Sequence, residues 1–293
     1  MIRPVVLAFL AFALLASTAG AAERSVQLAG LSVTVWQDEA GPSPKPVIIF
    51  SHGFHGCATQ SRFLMEALAS AGYLVFAPNH ADATCSGGAS TWSGRPELSF
   101  RDASKWDEST YRDRGDDITR LLEALRTDER FRSRGDWSKV GLAGHSLGGY
   151  TVLGLGGAWP SWTLTGVKAV LALSPYAGPF VDRKTLGQVA IPVMYQGGTR
   201  DLGVTPTLHK SMGAYDQTGG SKYYVEFEGA GHFAWTNLPS PVRRDIVSYS
   251  LAFLNHYVKG DAATSALTRA TPNVAVLRYS SELGTSHGRT SEP

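Results

Sequence analysis

The sequence predicts a single α/β domain built on a mostly parallel central sheet flanked by helices. Three observations carry this reading. Short runs of β-branched and aromatic residues alternate with helical patterns along most of the 293 residues. The balance of 43% hydrophobic to 18% charged residues is that of one globular domain with a buried core. Finally, a G-x-S-x-G pattern falls between a predicted strand and a predicted helix.

Taken in order, Met1 to Ser25 carries Arg3, an apolar run from Val5 to Leu15 and small residues ending in Ala19-Gly20-Ala21, the pattern of an export leader over 1–22. The run is short of the ~20 residues that span a bilayer. The mature chain is therefore expected to be secreted or periplasmic in a bacterium, a monomer, and without stable membrane insertion. Gln27 to Trp36 reads as an entry hairpin followed by a Pro/Gly turn over 41–46. Val47 to Phe50 is a buried strand running into Ser51-His52-Gly53, and Phe63, Leu64, Ala67, Leu68 and Ala71 then recur at helical spacing until Gly72. Leu74 to Ala77 is the next strand. Residues 79–110 form a long aperiodic stretch, and long loops in compact domains are usually functional.

Ile118, Leu121, Leu122 and Leu125 mark an amphipathic helix; Val140 to Ala143 is a strand, and Leu147 to Leu155 continues as a helix. Ala169 to Leu173, Val193 to Gln196 and Tyr223 to Phe227 complete the strands, and Pro241 to Tyr257 is a final helix with proline near its start. The domain is thus expected over 23–259, with a flexible Ser/Thr/Arg-rich tail over 260–293.

A formal charge of +2 is too mild to imply nucleic acid as a partner. The basic stretch from Arg112 to Arg134 is interleaved with acidic residues and reads as a solvated helix face.

The chemistry centres on Gly144-His145-Ser146-Leu147-Gly148, which follows a strand directly and opens a helix, the arrangement of a nucleophile elbow. A serine hydroxyl needs a base to take its proton and a carboxylate to hold that base in the right tautomer. In the α/β-hydrolase fold the order is serine, acid, histidine, and each partner sits just past a strand. His232 follows Tyr223 to Phe227 through Gly229-Ala230-Gly231, and Asp201 follows Val193 to Gln196 through Gly197 to Arg200; Asp182 is the rival acid. Of the eight histidines, His209, His256 and His287 read as surface or structural residues, and His145 as support for the elbow. His52, His55, His80 and Asp82 match no metal-ligand spacing, so no metal and no cofactor are expected. Backbone N–H groups of Phe54 and Leu147 are the candidate oxyanion donors.

The segments SHGFHG, ASAGYLVFAPNH, GHSLGGYT, GGTRD and GAGHF resemble esterases of the dienelactone-hydrolase-like and platelet-activating-factor-acetylhydrolase-like branch of the α/β-hydrolases, close to bacterial cutinase-like polyester hydrolases. The similarity covers roughly residues 47–257. It implies a carboxylic ester hydrolase acting on a small or polymeric ester. Two departures stand out: dienelactone hydrolase carries cysteine where Ser146 stands, and polyester hydrolases usually carry methionine where Leu147 stands. A peptidase or amidase could use the same residues, and a non-catalytic binding protein would be marked by a missing triad member.

Phe54, Phe233, Tyr176 and Trp106 are the candidate substrate-binding aromatics, with Trp92, Tyr150, Trp159, Trp162 and Trp235 as further possibilities. Cys57 and Cys85, the only cysteines, follow two strands expected to be neighbours ~4.8 Å apart. Export to an oxidising compartment then predicts a disulfide between them.

Overall fold

The structure is a computed structural model and describes residues 21–39, 41–84 and 95–286. The chain enters through β1 (Ala22–Leu28) and β2 (Leu31–Gln37), an antiparallel hairpin closed by Ala29 and Gly30, both at positive φ, as a two-residue turn of this kind requires. β3 (Lys45–Ser51), α1 (Arg62–Ser70), β4 (Leu74–Pro78), α2 (Arg112–Thr127) and β5 (Gly135–His145) follow. α3 (Leu147–Leu153), β6 (Val167–Leu173), α4 (Gly178–Arg183), β7 (Val193–Gly198), α5 (Thr205–His209), α6 (Ala214–Gln217) and β8 (Lys222–Phe227) continue the alternation. α7 (Arg243–Leu254) then leads to β9 (Val274–Ser281) and β10 (Gly284–Ser286).

All ten strands form one sheet in the order β1-β2-β4-β3-β5-β6-β7-β8-β9-β10. The six central strands run parallel, and antiparallel pairs flank them on both sides. β3 shows why its run is uninterrupted hydrophobic. Val47 and Ile49 face the layer holding α2, α3 and α4, whereas Ile48 and Phe50 face the layer holding α1 and α7. Covering both faces of a parallel sheet removes the alternation that a half-exposed strand would show.

Three expectations are corrected. Within the stretch expected as a flexible tail, residues 274–286 are ordered strand structure: β9 pairs with β8 and buries Val274 and Leu277, while β10 adds a short edge. The helix after the elbow stops at Leu153 and widens into a π segment over Gly154–Ala158, where Gly154 and Gly156 pack closely on Trp162 and Val170. The last helix begins at Arg243, after Pro241, and ends in a second π segment at Asn255–Lys259. Residues 1–20 and Cys85 lie outside the described residues, so the leader and the Cys57–Cys85 pairing stand as expectations. No helix of the described residues is long and apolar enough to cross a membrane.

Candidate active site

β5 delivers the chain to Ser146, which takes φ 56° and ψ −115° before α3 starts at Leu147. A serine in that conformation is strained and persists only where its surroundings fix it. Its N–H donates to the Leu173 carbonyl (3.0 Å), and its own carbonyl accepts from Tyr150 (3.1 Å) and Tyr176 (3.0 Å). The flanking glycines are required by contact. A Cβ on Gly144 would sit 2.2 Å from the Gly148 carbonyl oxygen, and one on Gly148 only 2.0 Å from that of Ser51. Leu147, as the first residue of α3, has no acceptor for its N–H within the helix.

Parallel strands place their following loops at one end of the sheet, and three such loops converge there. His232 Nε2 lies 2.9 Å from Ser146 Oγ, and His232 Nδ1 lies 3.0 Å from Asp201 Oδ2. Asp201 is buried, and Asp182 faces solvent on α4, away from this cluster. Ser174, the first residue after β6, hydrogen-bonds Asp201 Oδ2 and lies 2.9 Å from His232 Nδ1. Its hydroxyl proton goes to the carboxylate, which leaves its oxygen as a second acceptor for the imidazole N–H. Nothing in the sequence marks Ser174: its role arises only because β6 and β7 are neighbours.

The loop after β3 is held from below by a buried polar cluster. His52 Nδ1 donates to the Gly53 carbonyl (2.7 Å), and the Gly56 N–H donates to the same oxygen (2.9 Å). In a planar trans peptide the N–H opposes the C=O, so these two bonds also fix the direction of the Phe54 N–H. The other His52 nitrogen accepts from the His80 N–H (3.1 Å), which settles the neutral tautomer. Burial, with Arg114 nearby, drives the pKa of His52 well below the usual histidine range, and the same holds for His80. Arg114 is fully buried; it grips both carboxylate oxygens of Asp82 (3.1 Å each), and Asp82 accepts the His55 N–H (3.1 Å). Ser51, His80 and Asp117 form a second Ser-His-Asp run, at 3.0 and 2.9 Å. These side chains are closed off from solvent, so that run cannot meet a substrate.

The open pocket above Ser146 has a volume of about 730 Å³ and is walled by Phe54, Phe100, Tyr176, Leu202, Val204 and Phe233. Phe54, Tyr176 and Phe233 thus line this pocket. Trp106 does not line it: it is fully buried and packs behind Tyr176 with ring centroids 4.7 Å apart and the planes tilted by 53°. Tyr150, Trp159, Trp162 and Trp235 are likewise core residues, because each side chain satisfies its polar atom inside the protein. Trp92 lies outside the described residues. Phe100 and Gln60 line the pocket without having been singled out from the sequence.

A family model described as PET hydrolase-like matches residues 103–285, and one for the alpha/beta hydrolase fold matches residues 46–157. Cutinase 2 of Thermobifida cellulosilytica is 33% identical over 132 residues, covering 44% of this chain and 45% of that protein. Cutinase cut1 of Thermobifida fusca is 33% identical over the same length, covering 37% of its own chain. Cutinase est2 of Thermobifida alba is 26% identical over 234 residues, covering 78% of this chain and 65% of the cutinase. The aligned parts thus span between about a third and two thirds of these relatives. With the PET hydrolase-like model covering residues 103–285, well over half of the sequence, the chain belongs to the PET hydrolase-like family of alpha/beta hydrolases.

Proposed function

We propose that the protein is a serine hydrolase that cleaves carboxylic ester bonds through an acyl-enzyme. The observation that carries this reading is the unbroken run from Ser146 Oγ to His232 Nε2 (2.9 Å) and from His232 Nδ1 to Asp201 Oδ2 (3.0 Å) at the floor of an open pocket. Ser146 attacks the ester carbonyl while His232 takes its proton, and the buried Asp201 carboxylate stabilises the imidazolium. The tetrahedral oxyanion is held by the N–H groups of Phe54 and Leu147. Collapse expels the alcohol with the proton from His232. Water, activated by the same imidazole, then releases the acid. The residues supply every proton transfer, so the reaction needs no cofactor.

An apolar, aromatic ester is the substrate class that fits. Phe54, Phe100 and Tyr176 wall the pocket, and Phe233 (61% exposed) and Leu202 (80% exposed) extend its apolar rim into solvent. Exposed apolar side chains beside a site mark a surface that meets an apolar partner. The names of the relatives and of the matching family model, cutinase and PET hydrolase-like, point the same way, towards polyesters. An exported, monomeric enzyme is the form that such extracellular polymers call for, in line with the leader pattern over 1–22.

Initial rates on chromogenic esters of increasing acyl length, on an anilide control and on a suspended aromatic polyester test this reading. Ester turnover with the anilide at background is expected, and Ser146→Ala should lower it by ~10⁴ or more. A folded Ser146→Ala variant that still hydrolyses esters at near the original rate would sink the assignment.

A further inference from the structure

Gln60 lies in the loop between β3 and α1, and no step of the proposed reaction uses it. Its side-chain amide is nevertheless bonded at both ends. The Gly53 N–H donates to Oε1 (3.1 Å), and Nε2 lies 3.0 Å from His145 Nδ1. The far nitrogen of that imidazole, Nε2, lies 2.8 Å from the His232 carbonyl oxygen. A carbonyl only accepts, so His145 Nε2 carries the proton, Nδ1 is an acceptor, and the Gln60 NH₂ must donate to it. Every donor in the run meets an acceptor. Burial and the neighbouring His232 push the His145 pKa down to about 3, so this neutral tautomer holds across the working pH range.

The three ends of the run are next to three different reacting groups. Gly53 precedes Phe54, His145 precedes Ser146, and the third contact is the backbone of His232 itself. The Gln60 loop is tied on the other side as well. Its backbone carbonyl accepts from Asn237 (2.8 Å), the Thr59 carbonyl accepts from the Asn237 side chain (2.7 Å), and Ser61 donates to the Trp235 carbonyl (2.7 Å). Gly56 leaves room for the amide: a Cβ there would lie 2.0 Å from Gln60 Oε1.

We propose that Gln60 is a positioning residue, whose amide fixes the spacing between the oxyanion loop, the nucleophile and the base by joining Gly53 to His145 and, through it, to His232. This inference rests on the ester-hydrolase reading. The Gln60 amide bonds Gly53, Ser61 and His145 and none of the side chains of Ser146, His232 or Asp201, so its loss acts on the alignment needed at the transition state, while the aromatic walls of the pocket stay in place.

The test is a cycle of Gln60→Leu, His145→Leu and the double variant, with kcat and KM measured on a soluble aromatic ester and melting followed by circular dichroism. Gln60→Leu should lower kcat about 10-fold or more with KM within about twofold of the parent. The double variant should lose no more than about twofold beyond the worse single variant, because both break one run. Gln60→Met, of similar length but without donor or acceptor, serves if the leucine variant fails to fold, and should show the same kcat loss. An unchanged kcat in a folded variant overturns the proposal, as does a loss confined to KM, or losses that multiply in the double variant. Ser146→Ala in the same panel separates the two readings: if it stays active, the ester-hydrolase assignment fails, whereas if only it is inactive, the role of Gln60 fails.

Discussion

Ser174 and Asp201 show how the His232 imidazole is oriented at the scale of single side chains. The Asp201 carboxylate receives two donors, the His232 Nδ1–H at 3.0 Å and the Ser174 hydroxyl, in a buried setting where neither is replaced by water. Removing the imidazole removes the proton path, so His232→Ala should cut kcat by ~10⁴. Ser174→Ala leaves that path intact and costs one hydrogen bond to a charged group, so a loss of about tenfold or less is expected. Steady-state kcat for both variants on one soluble ester checks the ranking; equal losses would mean that Ser174 handles the proton itself. Ser146, Asp201 and His232 were legible in the sequence because each follows a hydrophobic run by a short glycine-bearing turn. Ser174 and Gln60 were not, since a serine before proline or a glutamine before a helix gains its role only from neighbours far along the chain.

Among the elements, the central strands were read near their true bounds, whereas β9 was read as tail. Its sequence, VAVLRYSS, is apolar over its first four residues only, with Val274 and Leu277 buried across a register shift, and it lies in a Ser/Thr/Arg-rich stretch and pairs antiparallel on one edge, so neither a period of two nor a long apolar run marks it. The π segment after α3 was missed for a different reason: the hydrophobic spacing there suits a helix, and only contacts of its glycines with Trp162 and Val170 reveal the wider turn. β9 matters to the site because β8 is the strand that delivers His232. Tyr223 on β8 bonds Ser281 of β9 (2.8 Å), and Val274 and Leu277 join the core shared with α7. A chain ended at residue 273 would expose β8 as an unpaired edge. Its melting temperature should fall by several degrees or more, with aggregation on heating, as light scattering and circular dichroism would record. Unchanged melting would return this segment to the status of an appendage.

For the whole molecule, three histidines bind stability to pH. Burial lowers the pKa of His52, His80 and His145 in the folded protein, to about 3 for His145. In the unfolded chain each returns to about 6.5. Below that value the unfolded chain takes up protons that the folded protein refuses, so stability is complete above about pH 6.5 and is lost as pH falls towards the folded values. The slope approaches about 1.4 kcal/mol per pH unit for each histidine fully charged in the unfolded chain. Burial acts oppositely on Asp113, Asp117 and Glu97, whose raised pKa values favour the folded state as pH falls and so soften the loss at its acid end. The melting temperature should therefore hold above about pH 7 and decline progressively from 6.5 to 5. His145→Gln should flatten that decline by about one proton's worth, since an amide can still donate to the His232 carbonyl without titrating. A melting temperature that stays level between pH 7 and 5 would contradict the buried neutral state of all three rings. The consequence reaches function, because His52 underlies the loop before Phe54 and His145 adjoins Ser146. Acid should thus abolish the proposed ester hydrolysis through the same opening that unfolds the protein, and activity recovered after incubation at pH 5 should track the melting curve.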